Sequence, residues 1–193
     1  MADGVQIRID DKAAREQLSA VLRVAQHPAG IMAAVADELL FISQRHIQRE
    51  QGPGGAWPRL SPRTANGRIG RRRRGTENML RVSGRLYASL TQASGADYAL
   101  VGSNLRYAAI HQTGGTIDMP ERSQTIYQAY DKRRDHFDAT FRAKGKSTFA
   151  RDVKVGAHRV TIPARPYLYV DADDAAAIEA AAADALRQEA GLS

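Results

Sequence analysis

Five histidines and a scatter of acids are the side chains here that could carry chemistry, and their spacing limits what they can do. His27, His46, His111, His136 and His158 contain no HxxxH or HExxH interval, and no carboxylate completes a metal triad beside them. His111 stands beside Gln112 and just ahead of Gly114, and is read as a hydrogen-bonded histidine at a helix end rather than a base. The chain has no cysteine, which removes disulfides, thiolate nucleophiles and thiolate metal sites together. No serine lies in a GxSxG turn, and no two acids sit between apolar flanks where burial would raise a pKa. Asp10-Asp11 and Asp173-Asp174 read as exposed acids at helix starts. The glycine sets GPGG and TGG lack a following Lys-Ser or Lys-Thr, so no phosphate loop is expected. The residues therefore predict no catalytic site, no metal and no cofactor.

Charge is the stronger signal. Between Arg45 and Arg85 lie eleven arginines against two acids, Glu50 and Glu77, a local excess of nine in a chain whose total is +7. The remainder is slightly acidic, and such asymmetry suits an anionic partner for one face or loop. Arg68 and the run Arg71, Arg72, Arg73 and Arg74 are the candidate contacts to DNA or to an acidic protein. No aromatic residue interleaves with that run, which argues against stacking on single-stranded bases. Its other reading is a solvated loop tip.

The elements that must position these groups follow from periodicity. Val5, Ile7 and Ile9 alternate as a strand would. Ala14, Leu18, Val21, Leu22 and Ala25 form the stripe of a first helix that His27-Pro28 ends, with Ala29-Gly30 as a hinge. A second, longer helix is expected from Ile31 to Arg49. Residues 51–78 read as a basic loop anchored by Trp57 and Leu60, with a single helical turn at Ser61-Pro62. Ser83 should cap a short helix from Gly84 to about Thr91.

The block from Asp97 to Gly115 looks like the organising unit. It holds a buried strand from Tyr98 to Val101 ended by Gly102 and Ser103, a short helix capped by Asn104, and a stop at Gly114 and Gly115. Beyond it, Gln124 to Tyr130 and His136 to Phe141 are either two strands turned at Lys132 to Asp135 or one helix. The hairpin is preferred because Thr125, Ile126 and Tyr127 favour extension. Val153 to Val155 and Arg159 to Ile162 flank Gly156 as a second hairpin would. The acids from Asp171 to Asp174 open a closing helix through Ala190 whose thin apolar stripe places it on a surface. No window approaches eighteen apolar residues and no basic leader precedes an apolar run, so neither a membrane span nor a secretion signal is expected.

Five short motifs, in order, resemble the phage virion morphogenesis family. They are Trp57-Pro58-Arg59-Leu60 with Thr64; Leu80 with Ser83-Gly84-Arg85-Leu86 and Ser89-Leu90; Val101-Gly102-Ser103; Tyr107 through Gly115; and Ile162 through Leu168. The resemblance implies a non-enzymatic structural protein of the virion neck or tail end. It would be made in the host cytoplasm and built into a ring, six copies being expected. Its neighbours would be the head connector or adaptor, the tail terminator or the tail tube, with genomic DNA in the lumen and no membrane contact. Trp57, Gly84, Gly102, His111, Gly114, Gly115, Arg165 and Pro166 are then fold residues rather than reactive ones. The expected architecture is α+β: one domain over 1–193 with a small, mostly antiparallel sheet, two N-terminal helices, a C-terminal helix and an arm at about 123–160. The alternative function is a DNA-binding module working through 45–85.

Overall fold

The structure is a computed structural model, and it describes residues 10–62, 64–65, 78–141, 143–145 and 148–192. The expected strand at Val5 to Ile9, and Arg68 with Arg71 to Arg74, lie outside the described residues. The class is α+β, with antiparallel pairings distributed over four small sheets among the described residues. Two compact units are present: residues 1–113 with 164–193, and residues 114–163.

In the first unit, α1 (Lys12–Gln26) and α2 (Ala29–Arg49) meet at a 66° bend. The break falls at His27-Pro28, because the proline ring disfavours helical geometry at the residue before it. The hinge is therefore one step earlier than Ala29-Gly30, which belong to the first turn of α2. Gly30 has a different role, since a Cβ there would lie 1.5 Å from Oε1 of Glu189. α2 buries Ala36, Ile42, Ser43, His46 and Ile47, and ends on Glu50 in the left-handed region. Two-residue strands β1 (Gln51–Gly52) and β2 (Gly55–Ala56) then turn the chain, so that Trp57 enters the core. The single turn at Ser61 forms as expected: Thr64 N donates to Ser61 Oγ at 3.3 Å and Ala65 N to Ser61 O at 3.0 Å.

Helix α3 (Arg85–Ala88) stops short of Thr91. Leu90 and Thr91 instead open β3 (Leu90–Ser94), which pairs with β4 (Ala99–Ser103). Gly102 and Ser103 thus continue the strand, opposite Thr91 and Leu90, rather than ending it. The strand is also less buried than its residues suggest, because Leu100 is about half exposed. Helix α4 (Ala108–Thr113) follows, with Gly114 at φ +70 supplying the stop. Ser103, not Asn104, supplies the local hydroxyl bond, taking Leu105 N at 3.2 Å. The core is Ile47, Trp57, Met79, Leu86, Leu90, Ala108 and Tyr167.

Helix α5 (Ala172–Ala190) carries a full capping box: Asp171 accepts from Asp174 N, and Asp174 accepts from Asp171 N. It packs against both α2 and α1. Asp174 is its one fully buried residue among those described.

The second unit is built from β5 (Gly115–Met119), β6 (Arg122–Asp131), β7 (His136–Phe141), β8 (Phe149–Val155) and β9 (His158–Ile162). The β6–β7 hairpin forms, with a bulge between Gln128 and Tyr130. β8 and β9, by contrast, do not pair with each other. β9 pairs with β5 and β8 with β6, and the register runs on unchanged from Gly115↔Ile162 through Met119↔His158 to Arg122↔Val155 and Gln128↔Phe149. One long antiparallel ribbon is thus interrupted at 120–121 and 156–157. Gly156 marks that break rather than a hairpin turn. Pro120, which has no N–H to donate, stands in the facing interruption.

Candidate functional site

The motif residues converge on the segment 165–168, and they do so through its backbone. Arg165 N donates to His111 O at 2.7 Å, while its guanidinium Nη2 donates to Pro58 O at 3.0 Å. The Trp57 indole donates to Pro166 O at 3.0 Å. Gln112 grips the next two residues: its Oε1 accepts from Tyr167 N at 2.9 Å and Leu168 N at 3.0 Å, and its Nε2 donates to Leu168 O at 2.8 Å. The Tyr167 hydroxyl reaches Ala108 O at 3.2 Å. A stretch without a strand partner is in this way satisfied by side chains, as buried backbone must be. Trp57, Arg165 and Gln112 each direct polar side-chain atoms at backbone carbonyls or amides, and Pro166 supplies one of the acceptors.

The second cluster joins α2, the start of α5 and the segment between them. His46 Nε2 lies 3.0 Å from Asp174 Oδ2, and Arg45 Nη2 lies 2.5 Å from Asp174 Oδ1. His46 Nδ1 faces Tyr167 O at 3.2 Å, and the ring stacks on Tyr169 at 3.8 Å and 7°. Each imidazole nitrogen therefore has a neighbour, the Asp174 carboxylate on one side and the Tyr167 carbonyl on the other. Asp174 is 2% exposed, so the expectation of an exposed helix-start acid is wrong for this residue. Desolvation works to raise its carboxyl pKa. The Asp171 N–H, the Arg45 guanidinium and His46 outweigh that and hold it below the ordinary value.

His46, Asp171 and Asp174 place ligand atoms within 4.8 Å of one another. The donor set does not fit a cation. Arg45 already holds one Asp174 oxygen, both oxygens serve the capping box or its partners, and neither ring nitrogen of His46 is spare. The cluster is a closed electrostatic fastening. Sequence reading missed it because Arg45 and Asp174 stand 129 positions apart. The available clue was a histidine inside an apolar helical stripe, which calls for a buried partner.

His111 lies apart from that cluster. It is half-buried beside a hollow of about 230 Å3 lined also by Leu80, Val82, Ser83, Leu86 and Tyr107. Burial, with a contribution from Arg165, pushes its pKa down, so the ring is neutral near pH 7. Among the described residues no carboxylate lines the hollow. Of the remaining predicted residues, Gly84 sits at φ +71 before α3 and Gly115 opens β5. A Cβ on Gly102 would meet nothing within 4 Å.

The phage virion morphogenesis family matches residues 9–187. A stretch of 68 residues, 32% of this chain, is 44% identical to the capsid assembly protein G of Escherichia phage Mu. That stretch spans 44% of the Mu protein's length, less than half of it. No solved structure matches the chain.

Proposed function

The chain belongs to the phage virion morphogenesis family, and from that premise we propose that it is a structural protein of the virion neck or tail end, acting by protein-protein contact. It assembles as a ring of its own copies, expected to number six. That ring contacts a head connector or adaptor on one side and a tail terminator or tail tube on the other. The protein performs no reaction. The observation that carries this reading is how the motif residues are used: Trp57, Gln112 and Arg165 spend their polar atoms on the backbone of 165–168 or of Pro58. The buried His46–Asp174 pair is likewise closed by Arg45 and Tyr167. Such groups serve shape, and shape serves assembly.

Electron microscopy of lysates from a phage lacking the gene tests the proposal. Separate heads and tails, rejoined when the gene is supplied in trans, are the expected result. Normal yields of joined, infectious particles would overturn it.

The arginine excess between Arg45 and Arg85 supports a second reading, a DNA contact made by the same subunit. Duplex binding by the isolated protein that weakens steeply with salt would favour it. Ring formation with no measurable duplex binding would count against it.

A further inference from the structure

Charge along the second unit is unevenly placed. From Lys132 to Arg151 the chain carries seven lysines and arginines against two acids, Asp135 and Asp138. The rest of residues 114–163 carries three such cations and four acids, so it is close to neutral. The cationic stretch opens with the β6–β7 turn, Asp131-Lys132-Arg133-Arg134-Asp135-His136, which has no apolar side chain and is exposed at all six residues.

The carboxylates around this turn are occupied, and its cations are not. Asp131 accepts from Arg133 N at 2.9 Å, Asp135 accepts from the Tyr130 hydroxyl, and Asp152 accepts from Thr125 Oγ1 at 2.6 Å. The ion pair at the turn is a loose one, Arg134 Nε standing 3.9 Å from Asp131 Oδ2. Lys132, Arg133, Lys144 and Arg151 have no carboxylate within ion-pair distance among the described residues. The turn is also held in shape. Asp135 sits at φ +50, a left-handed conformation that a short polar side chain tolerates. Tyr130, Phe137 and Phe149 pack together beside it, with ring centroids 5.1, 5.8 and 6.4 Å apart. Cations carried on a fixed turn lose less freedom when they bind.

Two observations choose the partner. The centre of a protein-protein interface is apolar and depleted of charge, and residues 131–136 offer no such centre. A nucleic-acid backbone, by contrast, is held by contacts of charge alone. The second observation is width. β8 begins at Phe149, opposite Gln128, so from Tyr130 outward the ribbon is only β6 and β7 wide. A two-stranded ribbon fits the roughly 12 Å major groove of duplex DNA, where phosphates flank it on both sides.

We propose that the β6–β7 turn binds the phosphate backbone of duplex DNA through Lys132, Arg133 and Arg134, without choice of sequence. This surface is separate from the Arg45 to Arg85 region, and it requires neither the ring nor the neck position proposed above.

Binding of the full chain to a labelled duplex of about 30 base pairs, followed by anisotropy over a range of salt concentrations, tests the inference. Lys132→Gln, Arg133→Gln and Arg134→Gln together should weaken binding about tenfold or more and lower the slope of log K against log salt by about 2–3, one phosphate contact for each charge removed. Arg133→Lys with Arg134→Lys keeps the charge and should bind within about twofold of the wild type. The same loss should appear in a chain whose Arg71, Arg72, Arg73 and Arg74 are already changed to Gln, which separates the turn from that run. All the substituted turn positions are exposed, so far-UV circular dichroism should not change. No duplex binding by the wild type, or an unchanged salt slope in the neutralised variant, overturns the inference. Poly-L-glutamate displacing the label as well as unlabelled duplex does so too, since the turn would then be a contact for an acidic protein. The particle phenotype decides the proposed function separately.

Discussion

Asp174 of α5 and His46 of α2 meet at 3.0 Å with both side chains almost wholly excluded from solvent. The Arg45 guanidinium closes the other carboxylate oxygen. Three segments of chain are tied at one point, and that point bears no substrate-facing atom. The contact is better understood as a fastening than as a dyad, and its removal should be read in stability.

Asp174→Asn leaves Arg45 without its counter-charge and takes the carboxylate away from His46. Breaking a buried pair from one side costs about 3–5 kcal/mol, and the partial exposure of Arg45 places this case at the lower end. The urea midpoint should fall with the slope unchanged. A loss below about 0.5 kcal/mol, the range of an ordinary surface substitution, would refute the fastening.

Acid should lower the protein's stability over two pH windows. Asp174 titrates below its ordinary 3.8, so its stabilisation is complete above that value and is lost as pH falls through the folded-state pKa. His111 titrates below its ordinary 6.5, so the unfolded chain takes up the proton first. Stability is then full above pH 6.5 and declines as pH falls from there toward the folded-state value. Thermal melts of His111→Gln should flatten that upper decline and leave the lower one. An identical profile in wild type and variant would contradict the assignment.

Gln112→Ala removes three hydrogen bonds from the backbone at Tyr167 and Leu168. About 2–4 kcal/mol of stability should go with them, since buried donors are left unpaired. Amide exchange at Tyr167 and Leu168 should accelerate more than at Ala108, which keeps its own turn.

Trp57→Phe and Trp57→Ala should separate packing from hydrogen bonding. The first loses the bond to Pro166 O, worth about 1 kcal/mol. The second also empties a core position, for about 3–5 kcal/mol. Equal denaturant midpoints for the two would mean that Trp57 does not anchor the core.

Gly84 and Gly102 look alike in the motifs and should behave differently. Gly84→Ala forces a side chain to φ +71 and should cost about 1 kcal/mol. Gly102→Ala meets open space in a strand and should be neutral or slightly stabilising. A larger loss at Gly102 than at Gly84, measured by calorimetry, would reverse this ranking.

Sequence alone determined the presence of the helices and several of their ends, since Pro28, the Asp171 and Asp174 cap and Gly114 act on backbone within a turn of themselves, whereas the end of α3 at Ala88 was set by the pairing of β3. The same locality gave the β6–β7 hairpin, the Ser61 turn, the α+β class and the ordered motifs of the family. Tertiary structure decided the rest. Val153 to Val155 and Arg159 to Ile162 have the pattern of a hairpin, but alternation states that a segment is extended and not which strand it will face. Asp173-Asp174 gives a helix start either way; whether an acid there is solvated or buried depends on Arg45 and His46 arriving from more than a hundred residues away. Local propensity is written in neighbouring residues, whereas a partner across the core is chosen by packing, and this chain keeps its most strongly bound charges where only packing could have brought them together.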